Sequence, residues 1–552
     1  MVATTPTHEK YQGLLADIGR GTIQIPQFQR DFVWTLQNSA KLLDSIIKGY
    51  PVGTFILWIT RDRLRAVRDI GGMSFPDVPP GTETAFVLDG QQRLTSLYAA
   101  IQGAKIVRAS GAVDDFSQIF VNLSATEHDS IVVTDVAELP KGSWISLGDL
   151  INGGTKIARH YDDKYLDNID KYRSRLAAYD FPIVKVTDAE IDVATEIFTR
   201  INVGGKPLTT FEIMAAKTYD EAKEFDLADK LHDLRNRLED VEYETVSDAI
   251  PLQLISLILD GECGKKSILR LDKYEFIKCW PSAVDALESA VDYFRTTYRI
   301  PASKLLPFNA LLVPFAYFFY RKNERPNSTQ KRLLEDFFWR CSLGRRYSVS
   351  VESRLAQDRY RIDSILEGKS PEYDWGVDVS PEFLIQNGLF SPNRSFVKAI
   401  LCIYAYHEPK SFEDNAKVHI GNAWLKQANS RNYHHFFPKA YLKKKGFTDR
   451  DSNSVLNITI VDEYLNKRQI RTDPPSVYLK RFSAGNADLE KALESHLIGS
   501  YKRFGSWSND YEVFLRKRAE RVSGELRKRL IERKIDQRGQ VASYDDIAEE
   551  PN

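Results

Sequence analysis

The alternation of apolar and polar residues predicts short strands and amphipathic helices in the first part of the chain. Apolar runs at 23–25, 54–59 and 85–88 are typical of strands, and the last of them leads directly into a helical pattern. Between the first two runs, apolar residues three and four positions apart predict a helix over 36–48, which Gly49-Tyr50-Pro51 should end. The order of these elements indicates an α/β or α+β fold rather than a helical bundle.

Residues 210–400 have a predominantly helical pattern. The segments 250–259 and 308–320 are strongly apolar, but both are shorter than the roughly 18 residues of a membrane-spanning helix, so we expect buried core helices. A basic helical pattern over 507–534 has an apolar stripe formed by Val513, Leu515, Val522, Leu526 and Leu530. The chain is therefore predicted to be α+β and predominantly helical, and to lie in the cytoplasm without contacting a membrane.

Charge is balanced overall but uneven along the chain. The 76 Lys and Arg residues equal the 76 Asp and Glu residues, which excludes a uniformly basic nucleic-acid coat protein. Residues 426–481 nevertheless contain 12 basic and 5 acidic residues, and residues 502–534 contain 11 and 5. These stretches predict a docking region for a polyanion, with solvated helix faces as the alternative. The dispersed cysteines, expected to be reduced and buried, are Cys263, Cys279, Cys341 and Cys402.

The densest group of candidate catalytic residues lies in the segment 432–438, NYHHFFP. Metal-dependent hydrolysis of a phosphodiester needs a divalent ion, a base that activates water and residues that orient both. His434 and His435 would point to opposite faces of a strand, so one should be the base and the other should reach the metal or support the turn. Asn457 and Asn466 follow at a spacing that suits such a site. The alternative is that these residues are only surface histidines and loop asparagines.

This segment resembles the HNH, or ββα-metal, nucleases, and specifically the C-terminal domain of GmrSD-type modification-dependent restriction enzymes. The resemblance implies that His435 is the general base and that His434 and Asn466 bind the metal. It also implies that Asn457 orients the His435 ring or its loop. Relatives often have a carboxylate at the position of His434. The expected metal is Mg²⁺ or Mn²⁺. Mg²⁺ favours oxygen ligands, whereas a histidine ligand makes Mn²⁺, Ni²⁺ or Zn²⁺ easier to accommodate.

The segment 25–34, IPQFQRDFVW, combines aromatic, amide and guanidinium groups that could stack on a base and bind phosphate. A structural loop with its aromatic residues buried is the alternative. The residues predicted to sense a DNA modification or to contact DNA are Gln27, Phe28, Gln29, Arg30 and Trp34.

The segment 89–93, DGQQR, lies where a predicted strand meets a predicted helix. The free N–H groups of a first helical turn attract anions, and the Arg93 guanidinium could donate two parallel hydrogen bonds to a phosphate. Asp89 could either cap the helix or engage a metal. A second glycine-containing turn at 197–208 could present further anion-binding groups, or could simply precede a helix capped by Thr209 and Glu212. The residues predicted to bind nucleotide or phosphate are Gln91, Gln92, Arg93, Arg200, Asn202 and Lys206.

These N-terminal segments resemble the N-terminal GmrSD-type domain, which has a ParB-like fold and a DGQQR motif associated with nucleotide binding and hydrolysis. The resemblance implies that Asp89 and Arg93 act on a nucleoside triphosphate whose base, whether of GTP, ATP, UTP or CTP, cannot be distinguished. It implies three domains: a ParB-like α/β sensor and nucleotidase over 1–220, a helical connecting domain over 221–385, and an HNH nuclease domain with a basic C-terminal helix over 386–552.

The expected function is that of a modification-dependent DNA endonuclease of phage defence, gated by nucleotide and by DNA modification. Its expected partners are modified double-stranded phage DNA and a nucleotide. Formation of a homodimer is left open. One alternative is a nucleotide-switched, DNA-binding regulatory protein with a vestigial nuclease site. Another is a toxin that attacks RNA or nucleotides with the same metal centre.

Overall fold

The computed structural model describes residues 2–26, 29, 32–61, 75–76, 78–79, 81–108, 111–126, 128–154, 157, 159–201, 208–426, 433–461, 470 and 472–538. The chain forms two compact units, Met1–Leu227 (the first unit) and Ala228–Asn552 (the second unit). Strands and helices are both present and helices predominate, which confirms the α+β class. The predicted boundary at 220 lies close to the division between the units. The separation of 221–385 from 386–552 stays a prediction.

The first unit contains a mixed sheet and several helices. Its strands are β1 Ala3–Glu9, β2 Ile23–Gln24, β3 Phe55–Thr60, β4 Thr84–Asp89, β5 Lys105–Val107, β6 Val113–Asp115, β7 Phe120–Asn122, β8 Val132–Val133, β9 Trp144–Ser146 and β10 Phe181–Thr187. Its helices are α1 Tyr11–Gly19, α2 Leu36–Lys48, α3 Gln91–Gln102, α4 Leu147–Asn152, α5 Asp163–Ala178, α6 Ile191–Ile201 and α7 Thr210–Thr218.

The five-stranded sheet has the strand order β1-β10-β3-β4-β2. Strand β3 is parallel to β10 and antiparallel to β4, and the β3–β4 register shifts between Ile56 and Leu57. Helices α2 and α3 pack against each other, and both contribute to the apolar core that covers the sheet. Because α3 begins directly after β4, the DGQQR segment lies at the end of a central strand.

The predicted end of α2 and the predicted capping box of α7 are confirmed. Helix α2 has the bounds expected from its apolar spacing, with Thr35 and Asn38 forming a capping box. Gly49 ends it with φ of 76°, a left-handed conformation that glycine adopts without strain. Thr209 and Glu212 form the predicted capping box at the start of α7.

The second unit is largely helical. Its helices, the first of which begins at the boundary, are α8 Leu227–Glu239, α9 Ala249–Leu259, α10 Lys265–Arg270, α11 Lys273–Thr296, α12 Leu312–Lys322, α13 Ser328–Leu343, α14 Val351–Leu366, α15 Pro381–Asn387, α16 Ser395–Tyr406, α17 Asn422–Lys426, α18 Lys439–Lys444, α19 Asp449–Ser452, α20 Pro475–Gly485, α21 Leu489–Ser495 and α22 Tyr511–Arg529. Its strands are β11 Tyr433–His435 and β12 Ile458–Ile460. The apolar runs predicted as buried helices form α9 and α12. Within the described residues, no helix is long and apolar enough to cross a membrane.

The basic helix predicted over 507–534 is α22, and the predicted apolar stripe is buried at Val522, Leu526 and Leu530 but not at Val513. Val513 is 38% exposed, whereas Phe514 and Arg518 are fully buried. The reason is the helical register, because Val513 lies off the line that joins Phe514, Arg518 and Val522 at intervals of four residues. Phe514 stacks on Phe436 with ring centroids 4.8 Å apart, so α22 supports the segment that follows β11.

All four cysteines are buried and free, as predicted. Burial raises the pKa of the Cys263 thiol to about 12 and also raises that of Cys402. Because the thiolate is the reactive form, these residues behave as small apolar side chains.

A buried group of charged side chains joins the end of the described chain to helix α13. Arg340, fully buried, donates through Nη1 and Nη2 to the two carboxylate oxygens of Asp536, each at 2.7 Å. Its Nε donates to Asp336 at 3.0 Å, and Arg533 also donates to Asp336. A two-pronged contact of this kind fixes both position and orientation.

Replacing Asp536 with alanine should therefore lower the free energy of unfolding by about 3 kcal/mol, because Arg340 would keep its charge in a buried site with only one carboxylate. Guanidinium denaturation followed by circular dichroism measures the change. Glu367→Ala is the matched control, since Glu367 pairs with Lys369 on an exposed surface. Equal denaturation midpoints for the two variants would contradict this role for Asp536.

Candidate functional site

Strands β11 and β12 pair antiparallel and carry the two neighbouring histidines. His434 lies opposite Thr459, and His435 lies opposite Ile458. Because consecutive strand residues face opposite sides, the two imidazoles contact different groups. His434 is only 2% exposed, whereas His435 is half-buried. The geometry thus allows two separate roles.

His434 has one satisfied and one unpartnered ring nitrogen. Its Nδ1 lies 2.9 Å from Thr459 Oγ1, and the Thr459 hydroxyl donates to the backbone oxygen of His434 at 3.3 Å. Since that hydroxyl proton is already used, Thr459 Oγ1 accepts from Nδ1–H. Burial and nearby positive groups hold the pKa of His434 well below its usual value, so the ring is neutral. Its Nε2 therefore keeps a lone pair, and this buried atom has no hydrogen-bond partner among the described residues.

An unprotonated, buried Nε2 on a ring whose other nitrogen donates to an oxygen is the state of a metal-binding histidine. His434 therefore fits its predicted role as a ligand of a divalent ion. The second predicted ligand, Asn466, lies outside the described residues. Within the described ranges, no group of three or more His, Cys, Asp or Glu side chains could hold a metal ion.

His435 is held by an amide side chain. Its Nε2 lies 3.0 Å from Asn453 Oδ1. Burial, with a smaller contribution from Lys439, lowers the pKa of His435 to about 4, and the bond to Asn453 partly opposes that shift. The ring is therefore neutral near pH 7 and is able to accept a proton, as a general base must.

Asn457 is fully buried and binds the backbone of the loop after β11. Its Oδ1 accepts from Phe437 N at 2.8 Å, and its Nδ2 donates to the backbone oxygens of Phe437 and Ser452, both at 3.0 Å. Of the two targets that the sequence leaves open for Asn457, the ring and the loop, these bonds reach the loop. Asn457 and both histidines therefore belong to one hairpin.

Two buried groups near the hairpin are missed by sequence reasoning. Arg518 donates to Leu456 O at 2.7 Å and to His496 O at 3.1 Å, and its guanidinium lies 4.5 Å from the centroid of the Tyr404 ring. No described carboxylate pairs with it, and burial lowers its pKa. His496 donates through Nε2 to Lys410 O at 2.9 Å, and burial lowers its pKa to about 3. Only the four-residue spacing from Phe514 could have signalled that Arg518 points inward.

Four exposed lysines follow the hairpin directly and form what we call the lysine surface: Lys439, Lys443, Lys444 and Lys445. None of them forms an ion pair with a described residue, and Lys439 is close enough to His435 to lower its pKa. The lysine surface lies in the first of the two basic stretches of the sequence. It is an uncompensated positive surface beside the candidate base.

In the first unit, Arg93 binds other parts of the protein. Its Nη1 donates to Val52 O at 2.7 Å, and its Nη2 donates to Thr54 O at 3.0 Å and to Asp89 at 2.9 Å. The guanidinium carbon lies 5.3 Å from the centroid of the Phe55 ring, and the side chain is 17% exposed. Arg93 thus joins the first turn of α3 to the chain that enters β3.

Helix α3 begins after Gly90, which has φ of 94°. A Cβ at Gly90 would overlap the Phe55 ring, so both the backbone conformation and the space require glycine. No side chain caps α3, and Asp89 accepts from Arg93 instead of capping.

The glutamines join α3 and β4 to the 25–34 segment. Gln92 Oε1 accepts from Val33 N at 2.9 Å and from Trp34 N at 3.2 Å, and Gln92 Nε2 donates to Gln91 at 3.0 Å. Buried Gln29 donates to two backbone oxygens of β4, both at 2.9 Å. Trp34 is half-buried and packs against the core. These contacts hold the loop, and the predicted roles of these residues toward nucleotide and DNA stay predictions.

Arg108 is a second anchor of the same loop, and sequence reasoning missed it. It donates to Phe32 O at 2.6 Å and to Trp34 O at 2.5 Å, and it pairs with Asp114. Its guanidinium carbon lies 4.9 Å from the centroid of the Phe32 ring. An arginine on a short hairpin carries no local signal for such a contact.

Arg200 lies at the end of α6, where it is 77% exposed and pairs with Glu196 at 2.5 Å. Its predicted phosphate contact stays a prediction. The other predicted residues of the first unit that lie outside the described residues are Gln27, Phe28, Arg30, Asn202 and Lys206.

Residues 11–219 match the sequence model of a family described as GmrSD restriction endonuclease, N-terminal domain. The first unit is similar to this domain, which supports the family part of the N-terminal resemblance. The matched residues end before strands β11 and β12 of the second unit.

The chain is also 23% identical, over 511 residues, to the uncharacterized protein MJ0686 of Methanocaldococcus jannaschii. The similarity covers 83% of this chain and 84% of that protein. This share is larger than either unit alone, so the similarity extends through parts of both.

Acid should destabilise the second unit below about pH 6.5, the ordinary value for histidine. Burial lowers the pKa of His435 to about 4, that of His496 to about 3, and that of His434 well below its usual value. The unfolded chain then binds protons first, so the free energy of unfolding falls as the pH falls, by up to ~1.4 kcal/mol per pH unit for each histidine. Denaturant unfolding between about pH 5 and pH 8 measures the slope.

The variant His496→Gln keeps a donor for Lys410 O but removes one titrating group, so its slope should be smaller by about one proton. The matched control is the same substitution, histidine to glutamine, at the exposed His419. A second unit that is equally stable at about pH 5.5 and pH 7.5 would be incompatible with these buried neutral histidines.

Proposed function

We propose that this protein is a modification-dependent DNA endonuclease of phage defence that hydrolyses phosphodiester bonds at the β11–β12 hairpin. The observation that carries the proposal is the pair of neutral histidines on β11, of which His434 has a lone pair on a buried, unpartnered Nε2 and His435 is able to accept a proton. The GmrSD-type first unit supports DNA as the substrate.

In the proposed reaction, the neutral His435 imidazole takes a proton from water. The oxygen of that water attacks phosphorus in line with the leaving oxygen, the bond between phosphorus and the leaving oxygen breaks, and the leaving oxygen takes the electron pair and a proton from solvent. Asn457 keeps the loop after β11 in place through its three backbone hydrogen bonds. His434, with Asn466, would hold Mg²⁺ or Mn²⁺, which when bound stabilises negative charge on the phosphate.

We further propose that the first unit senses DNA modification, binds and hydrolyses a nucleoside triphosphate, and gates the nuclease. Two observations support this proposal. Helix α3 starts directly after β4 with a glycine as its N-cap residue, and the first-turn N–H groups of a helix attract phosphate. Gln92 links the same helix to the backbone of the 25–34 segment, so a ligand at either place would affect the position of the other. Asp89 and Arg93 would act on the nucleotide from this helix start.

The central test is a digestion panel of differently modified DNAs, with and without each nucleoside triphosphate, in Mg²⁺ or Mn²⁺. Wild-type protein should cut modified DNA in a metal-dependent manner, and His435→Ala should reduce the rate by at least about 100-fold because it removes the base. His419→Ala, at an exposed position of the same unit, is the control. Equal rates for His435→Ala and wild type would refute the assignment. Nucleotide-dependent DNA binding without any cleavage would instead favour the regulatory protein with a vestigial site.

The lysine surface should contribute directly to DNA affinity. We expect the double variant Lys443→Gln/Lys444→Gln to bind DNA more weakly and to reduce the salt slope of log affinity by about 1.8, because each lost phosphate contact removes about 0.9. Lys265→Gln/Lys266→Gln is the matched control, since these are also adjacent exposed lysines on a short helix. Affinity titrations at several salt concentrations decide the matter, and identical slopes for the two double variants would exclude the lysine surface from DNA binding.

A further inference from the structure

The hydrogen bonds of Asn453 fix the orientation of its side-chain amide beside His435. Asn453 Nδ2 donates to Phe390 O at 2.9 Å, and the backbone oxygen of Asn453 accepts from Phe390 N at 2.7 Å. The amide nitrogen is therefore turned toward a carbonyl oxygen, which leaves Oδ1 facing the His435 ring at 3.0 Å. An amide oxygen can only accept a hydrogen bond.

The orientation of Asn453 determines which nitrogen of His435 carries the proton. Because Oδ1 only accepts, the ring nitrogen beside it, Nε2, must donate, and in the neutral ring Nδ1 is then unprotonated. No described residue hydrogen-bonds to Nδ1. We propose that Asn453 is a positioning residue that holds His435 in the Nε2–H tautomer and so presents Nδ1 as the base. This inference rests on the function proposed above.

Asn453 is itself held firmly by its neighbours. Its backbone nitrogen donates to Asp449 O at 3.1 Å, and the following residues pair with the segment at 388–390 through the bridge between Leu389 and Ser454. The Phe390 ring lies edge-on to the His435 ring, with centroids 6.4 Å apart. A base whose partner is fixed by backbone pairing keeps its geometry without reorganisation during the reaction.

The two neighbouring histidines thus have opposite tautomers. Thr459 Oγ1 accepts from Nδ1–H of His434 and leaves Nε2 with a lone pair, whereas Asn453 Oδ1 accepts from Nε2–H of His435 and leaves Nδ1 with one. Each ring is oriented by one oxygen from a residue after β11. One strand therefore carries lone pairs on two different ring nitrogens, Nε2 of His434 and Nδ1 of His435.

The test is nitrogen NMR of the full-length protein labelled with ¹⁵N-histidine, because the shifts of Nδ1 and Nε2 report which one is protonated. The His435 signals are assigned by their loss in His435→Ala. We expect wild type to show a protonated Nε2 and an unprotonated Nδ1. Asn453→Asp keeps an acceptor oxygen beside Nε2 and should preserve this pattern, whereas Asn453→Leu should give mixed tautomers. Asn486→Leu removes another buried amide, one that does not bond to a histidine ring, and should leave the pattern unchanged.

Kinetics on cleavable DNA provide the second readout. Asn453→Leu should lower kcat by about tenfold with little change in KM, as expected for the loss of a supporting hydrogen bond, and Asn453→Asp should recover much of that loss. A protonated Nδ1 on His435 in wild type would overturn the proposal, and that measurement needs no variant. A protein that cuts no DNA but shows the expected tautomer, disturbed only in Asn453→Leu, would support the role of Asn453 and contradict the nuclease function. The two failures are therefore distinguishable.

Discussion

Desolvation of the β11–β12 hairpin is the physical constraint on which the candidate site depends. His434 and His496 are almost completely buried and His435 is half-buried, and for all three the removal of water is the largest influence on the pKa. Arg518, which pairs with no described carboxylate, adds to the effect on His434 and His496 by disfavouring further positive charge. A neutral imidazole is what both a metal ligand and a general base require. The same burial makes the unit sensitive to acid, so the chemistry and the stability of the hairpin have one cause.

In both units, key arginine and asparagine side chains bind mainly to backbone groups rather than to other charged side chains. Arg93 and Arg108 donate to carbonyl oxygens of loops in the first unit, and Arg518 donates to carbonyl oxygens beside the hairpin in the second. Asn457 does the same with its amide. Such bonds fix the course of a loop whatever its side chains are, because the partner is the peptide itself.

The charged side chains around Arg340 have a different role from the arginines that bind loop backbone. It joins α13 to the segment after α22, and α22 in turn stacks Phe514 on Phe436. The basic C-terminal helix is therefore part of the core of the second unit as well as part of a charged surface. Its inward arginines are used for structure, and the positive surface beside His435 is supplied instead by the lysines after β11.

Local signals in the sequence were sufficient for several of the elements. The apolar spacing over 36–48, the capping box at Thr209 and the strand pattern before Asp89 depend on neighbours within a few residues, and they appear in the structure as predicted. The HHFFP and DGQQR segments likewise identified the hairpin and the helix start.

What each polar atom binds was decided only by the tertiary structure. Asn453 reaches His435 across 18 residues, Gln92 reaches Trp34 across 58, and Arg518 reaches Leu456 across 62. Hydrogen bonds over such separations depend on how distant segments fold together, and no local pattern encodes them; the tautomer of a ring, the burial of an arginine and the anchoring of a loop are therefore properties of the packed chain.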